Sequence, residues 1–197
     1  MSKSPPARRS FLECVYPVYG SIIDFASENT ILVDPAGRAF KRGETRYTGG
    51  GMSGGIYSAF DLTGKQHGIG EIPAGHAVLN RGKFDGIRAI LHAVGPDGQR
   101  SGTSRNKYFE LLQTTLLAVH EALVAGRVPK KCPIGLPFIS ASSYSHPDVD
   151  FFEYMTVYLQ AIELIFGDSG YKIHLQLYDR KEQQTYAAAM AMLQQRL

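Results

Sequence analysis

The segment with the plainest chemical potential is Gly49-Gly50-Gly51-Met52-Ser53-Gly54-Gly55, five glycines in seven residues. Glycine lets a backbone approach a ligand closely and adopt positive φ, and the N–H groups of such a loop running into a helix form an anion cradle. A pyrophosphate suits that cradle; a plain flexible turn is the alternative. The segment fits neither G-x-x-x-x-G-K-[ST] nor G-x-G-x-x-G, which argues against a P-loop kinase and an ordinary dinucleotide fold. A second segment, Ser140-Ala141-Ser142-Ser143-Tyr144-Ser145-His146-Pro147, follows the apolar run Ile134 to Ile139. Its small residues can wrap around phosphates with hydroxyls and amides as donors, and a solvated Ser-rich loop is its other use. His146 stands near these serines, but no G-x-S-x-G elbow supports Ser-His-Asp chemistry. The third segment is Asp34-Pro35-Ala36-Gly37, an acid set where the apolar run 30–33 ends. Its carboxylate can accept from a ribose hydroxyl or orient a water, or it can simply start a turn.

Alternating strands and helices must position these segments. Aromatic and β-branched residues from Phe11 to Ile23 suit a strand broken near Pro17. The run 30–33 reads as a second strand stopped by Pro35 and Gly37, and Ile56 to Phe60 as the first turns of a helix. His76 to Leu79 and Ile87 to Val94 read as strands, the latter apolar enough to be buried on both faces. Helical period runs through Tyr108, Leu111, Leu112, Thr115, Leu116, Val119 and Leu123, with Gly126 as a stop, and again through Phe152, Met155, Leu159, Ile162 and Phe166, with Gly167 as a stop. Pro133 to Ser140 and Tyr171 to Tyr178 are strands, and 182–197 is a closing helix. Such alternation predicts a mostly parallel sheet with helices on both faces, and ligands bind such sheets beyond the strands' carboxyl ends.

The bulk properties agree. At 197 residues, 44% hydrophobic and 20% charged, the chain is ordinary globular material, read as a loose tail over 1–10 followed by one domain over 11–197. A net charge of +3 with dispersed cations permits a polyanionic partner without implying one. Cys14 and Cys132 have neither disulfide nor metal-ligand spacing and read as core thiols. No metal and no cofactor is expected. Without a bilayer-spanning apolar run or an apolar leader, the expected setting is the cytoplasm, with no membrane partner.

In order along the chain, these segments resemble the macrodomain family from Gly20 to Asp179. Gly20-Ser21-Ile22 is similar to its Gly-Asp-Ile, and Ile31-Leu32-Val33-Asp34-Pro35-Ala36-Gly37 to its Ala-Ile-Val-Asn-Ala-Ala-Asn. Gly49 to Tyr57 resembles its Gly-Gly-Gly-Val-Asp-Gly-Ala-Ile-His loop, and Ile90-Leu91-His92-Ala93-Val94-Gly95-Pro96 its Val-Ile-His-Ala-Val-Gly-Pro strand. Leu136 to Pro147 resembles its Phe-Pro-Ala-Ile-Ser-Thr-Gly-Ile-Tyr-Gly-Phe-Pro. The resemblance implies a three-layer α/β/α fold, its mixed and mostly parallel sheet flanked by helices, with a cleft for ADP-ribose. Ile22, Gly49, Gly50, Gly51, Met52, Ser53, Gly54, Gly55, Ile56, Ser140, Ala141, Ser142, Ser143 and Tyr144 would line that cleft. Tyr178 is a candidate to stack on adenine, with an edge or core tyrosine as its blander use. His92, inside a buried strand, reads as a hydrogen-bonded structural histidine.

Departures from the pattern fall where the family's catalysis is placed. Asp34 and Gly37 stand where that pattern has two Asn, Ser53 replaces the loop's acid, and Tyr57 replaces its His. Two readings follow. One is a reader of free or protein-linked ADP-ribose; the other is an ADP-ribosyl hydrolase in which Asp34, or an acid in the stretch Asp24 to Glu44, activates water. A third, weaker reading is a related fold that binds another nucleotide or an RNA end without hydrolysis. The expected partner is ADP-ribose or an ADP-ribosylated protein, bound by a monomer, with nucleic acid not expected. The charged stretch between Gly37 and Gly49 can select a substrate or be a solvated loop.

Overall fold

The computed structural model describes residues 12–42, 51–62 and 68–195; the tail expected over 1–10 lies outside them. Six strands form one sheet: β1 (Val15–Tyr19), β2 (Ile31–Ala36), β3 (His76–Asn80), β4 (Ala89–Val94), β5 (Pro133–Leu136) and β6 (Lys172–Leu177). Their order is β1-β6-β5-β2-β4-β3, and β3 alone runs antiparallel to its neighbour. Six helices accompany them: α1 (Ile22–Phe25), α2 (Arg38–Lys41), α3 (Gly51–Ala59), α4 (Arg105–Ala125), α5 (Phe151–Phe166) and α6 (Arg180–Gln194).

Alternation along β2 shows how the layers form. Ile31 and Val33 face the main core with Leu112, Leu116, Tyr158 and Ile162 of α4 and α5. Leu32 and Ala36 face the opposite side, where Ile22, Ile56, Phe40 and Tyr57 of α1, α2 and α3 cover the sheet. The sheet is therefore sandwiched, as the alternating pattern predicts. Helices α4, α5 and α6 start where short polar side chains take the first free amides: Ser104 accepts from Lys107, Asp150 from Glu153 and Asp179 from Glu182.

Several expected boundaries move. Strand β1 runs through Pro17 because it lies at the sheet's edge, where a missing N–H costs little. Strand β2 does not stop at Val33. It continues through Asp34 and Pro35 to Ala36, because β5 pairs with it only at Ile31 and Leu32, and beyond that β4 is its sole neighbour. Conversely, β5 ends at Leu136 instead of Ser140. The glycine segment is already helical from Gly51, and the short helices α1 and α2 carry no sequence period long enough to reveal them.

Helix α1 is tied to the sheet by Gln176, a buried residue of β6 whose Oε1 accepts the Ile22 N–H at 3.0 Å. Replacing Gln176 with Leu leaves that buried donor without an acceptor. The variant is expected to lose about 1–3 kcal/mol in a urea titration.

Candidate functional site

The site begins where β2 and β5 part company. Past Leu32 and Gly135 the two strands no longer pair, so a crevice opens over the carboxyl edge at the centre of the sheet. Connections from β2 and from β5 leave towards opposite faces there, the position at which open α/β sheets bind ligands.

One wall is the chain that follows β5. Three tyrosine hydroxyls reach it from the α4–α5 side: Tyr158 donates to the Pro137 carbonyl at 3.0 Å, Tyr154 to Ile139 at 2.6 Å, and Tyr108 to Ser140 at 2.6 Å. Burial pushes all three hydroxyls well above the usual phenol range, so they are protonated donors at any physiological pH. A trans peptide sets each N–H opposite the preceding carbonyl. With the carbonyls of 137, 139 and 140 turned towards α4 and α5, the N–H groups of Phe138, Ser140 and Ala141 turn to the other side, towards α3. Among the described residues none accepts from the Ser140 or Ala141 N–H. Ser140 itself has φ +63°, a left-handed conformation that costs a non-glycine residue about 1–2 kcal/mol. Gly95 lets the wall close up: a Cβ there would overlap Ser140 Oγ and the Ile139 side chain.

Across the crevice stands α3. Gly51, Met52, Ser53, Gly54, Gly55 and Ile56 form its first residues, while Gly49 and Gly50 lie outside the described residues. Met52 and Ile56 pack with Ile22 and Ile23, so the helix start is held beside the chain that leaves β1. Ser53 is buried, and its Oγ has no hydrogen-bond partner among the described residues.

Tyr144 closes the crevice towards β4. Its hydroxyl sits beside Gly37, where a Cβ would meet it at 2.8 Å, and accepts the Arg38 N–H at 3.4 Å. Arg38 then spans to Asp97, with Nε and Nη2 donating to Oδ2 at 2.9 and 2.8 Å. At the other end, Tyr178 is 62% exposed just beyond β6, a surface residue instead of a core one. Tyr19, 66% exposed at the end of the adjacent β1, accompanies it. Ser142 and Ser143 are exposed on the β5 loop, and Ala141 is half-buried.

Asp34 is elsewhere. It lies within β2 on the face covered by α2 and α3, 0% exposed, with Oδ2 2.7 Å from Nδ1 of His92 on β4. Phe40 and Tyr57 pack their rings on that imidazole, at centroid distances of 4.9 and 5.9 Å. The pair is a buried cross-strand link, which bears out the structural reading of His92 and separates Asp34 from the crevice. Cys14 and Cys132 are buried and form no disulfide. Among the described residues no three His, Cys, Asp or Glu side chains are grouped to hold a metal ion, and no helix is long and apolar enough to cross a membrane.

Tyr154, Tyr158, Tyr19 and Asp97 were not picked out from the sequence. The first two leave a trace there: tyrosines four apart on the buried face of an apolar helix have hydroxyls that must find acceptors.

Among the described residues, six strands in this order with helices on both faces define a three-layer α/β/α domain. Its fold is that of the macrodomains. The chain matches the Oceanobacillus iheyensis macrodomain with ADP at a TM-score of 0.70 and 20% identity, covering 96% of this chain and 96% of that one. For the Trypanosoma brucei macrodomain in complex with ADP the TM-score is 0.70 at 17% identity, over 91% of this chain and 70% of that one. For the same protein in complex with ADP-ribose it is 0.65 at 17%, over 92% and 71%. No family model and no curated protein matches the sequence.

Asp34→Ala removes the carboxylate that bonds Nδ1 of the fully buried His92. The expected loss is about 2–4 kcal/mol, between the cost of an unsatisfied neutral group and that of an unpaired buried charge. Equilibrium denaturation measures it, and an unchanged midpoint would contradict the buried pairing.

Proposed function

We propose that this domain binds ADP-ribose, free or attached to protein, as a reader. The observation that carries the proposal is the set of three buried tyrosine hydroxyls holding the Pro137, Ile139 and Ser140 carbonyls. Amides fixed on one side of a wall, opposite a helix start, are a preorganised cradle for a diphosphate, since the donors are already aimed before the ligand arrives. Exposed Tyr19 and Tyr178 offer flat faces for a base at the β1–β6 end. Ribose hydroxyls would then meet Tyr144, whose hydroxyl takes the room that glycine leaves at position 37.

The reader form is favoured over the hydrolase form by Asp34. A residue that activates water must reach water, and this carboxylate is enclosed and already engaged by His92. Nor is Asp97 an available replacement, since it is committed to Arg38 and to the Gln99 N–H.

Calorimetric titration with ADP-ribose, with AMP and with a 5′-phosphorylated RNA end as competitors, tests this. Binding of ADP-ribose well ahead of both competitors, with no release of ADP-ribose from modified protein, is expected. Preference for the RNA end would reassign the ligand. In Tyr154→Phe the Ile139 carbonyl loses its anchor and the amide wall its alignment, so affinity for ADP-ribose should fall about tenfold, the equivalent of one hydrogen bond.

A further inference from the structure

The strand order lays the crevice out as a line. From the outer edge inwards, the carboxyl ends present Tyr19 (β1), Tyr178 (β6), the amide wall after β5, Gly37 and Arg38 after β2, and 95–100 after β4. One end is aromatic and the middle donates amides. The far end is cationic.

There Arg38 and Lys41, at the two ends of α2, and Arg100, whose backbone bonds the Asp97 carbonyl, come together beside Asp97. Arg38 is bonded to it, the Arg100 N–H donates to the Asp97 carbonyl at 3.3 Å, and Lys41 feels the charges of all three. Asp97 is already engaged: Oδ2 takes two N–H groups of Arg38, and Oδ1 takes the Gln99 N–H at 3.2 Å. Lys41 is half-buried; burial lowers its ammonium pKa, Asp97 raises it, and Arg38 and Arg100 lower it. Among the described residues three cations lie near this one acid, which only Arg38 bonds through its side chain, and the local excess of positive charge is one that an incoming anion would relieve.

Resting on the ADP-ribose reading of the crevice, we propose that this end is a second anion subsite, formed by Arg38, Lys41 and Arg100, that takes carboxylates of an acidic polypeptide segment flanking the modified residue. It lies beyond the diphosphate wall on the side away from the base, where the protein attached to an ADP-ribose must emerge. A polypeptide fits better than a nucleic acid. Among the described residues the cluster is compact and centred on an acid, and the chain's net charge is only +3, unlike the extended basic track that a phosphate backbone needs.

The test is a set of titrations of the full chain with free ADP-ribose, an ADP-ribosylated peptide with Glu and Asp flanks, the same peptide with Gln and Ser flanks, and an ADP-ribosylated oligonucleotide. The wild type should prefer the acidic peptide roughly tenfold at low salt, less as screening shortens the reach of the charges. Lys41→Ala/Arg100→Ala should lose that preference while keeping its affinity for free ADP-ribose and its thermal midpoint, and Lys41→Arg/Arg100→Lys should restore the preference. Equal affinity of the wild type for the two peptides, or preference for the oligonucleotide, overturns the proposal alone. So does a double-Ala variant that still discriminates, or that weakens free ADP-ribose in parallel. Failure of free ADP-ribose to bind the wild type removes the reading of the crevice, and this proposal with it.

Discussion

Where the chain after β5 turns its peptide planes decides what the crevice can do. A peptide carbonyl and the next N–H point in opposite directions, so fixing three carbonyls towards α4 and α5 fixes the amides towards α3. The constraint works in both directions. Tyr108, Tyr154 and Tyr158 are buried, and their hydroxyls would each cost about 1–3 kcal/mol if left unpaired. The loop carbonyls answer that demand. A core requirement and a site requirement are met by the same three bonds, which is also how the left-handed Ser140 is held in place.

The early separation of β2 and β5 is the second condition. Two paired residues are enough to set the register, and the divergence afterwards leaves room that continuous pairing would close. That room is bounded by contacts between loops. Gly95 packs under Ser140, the Gly98 N–H donates to the Tyr144 carbonyl at 2.9 Å, and Arg38 spans to Asp97. Three post-strand segments from three different strands are thereby locked to one another, so the geometry of the cleft belongs to the sheet.

Much of this was legible in the sequence because it depends on local rules. The helices α4 and α5 follow from residues repeating on one face and end at Gly126 and Gly167 as read. The order of the glycine-rich, His-Ala-Val-Gly-Pro and Ser-rich segments led to the fold despite weak identity to its solved examples. What could not be read was decided by partners distant in sequence. Asp34-Pro35 is a turn signal by local chemistry, yet β4 keeps it in a strand and His92 supplies the acid with a buried partner 58 residues away. Tyr154 and Tyr158 look like any apolar helix face until the fold shows which carbonyls their hydroxyls meet.

Helix α3 shows the remaining tension between local and global preference. Gly51, Gly54 and Gly55 fall in its first five residues, and each glycine costs a helix interior about 1 kcal/mol relative to alanine. Propensity alone would not start a helix there. Ile56 and Tyr57, both fully buried, hold it from its middle outwards, and Met52 adds to that grip. The initial turn is thus the part least supported by its own sequence, and its N–H groups have no partner within the helix, as in any helix start. A ligand that bonds those groups stabilises the folded helix by the same interaction that binds it, so affinity at this wall and order in this turn are one free energy viewed from two sides. The opposite wall, its carbonyls already fixed by tyrosines, needs no such help. The two walls therefore differ, one held by side chains of the core and the other only from the middle of its helix.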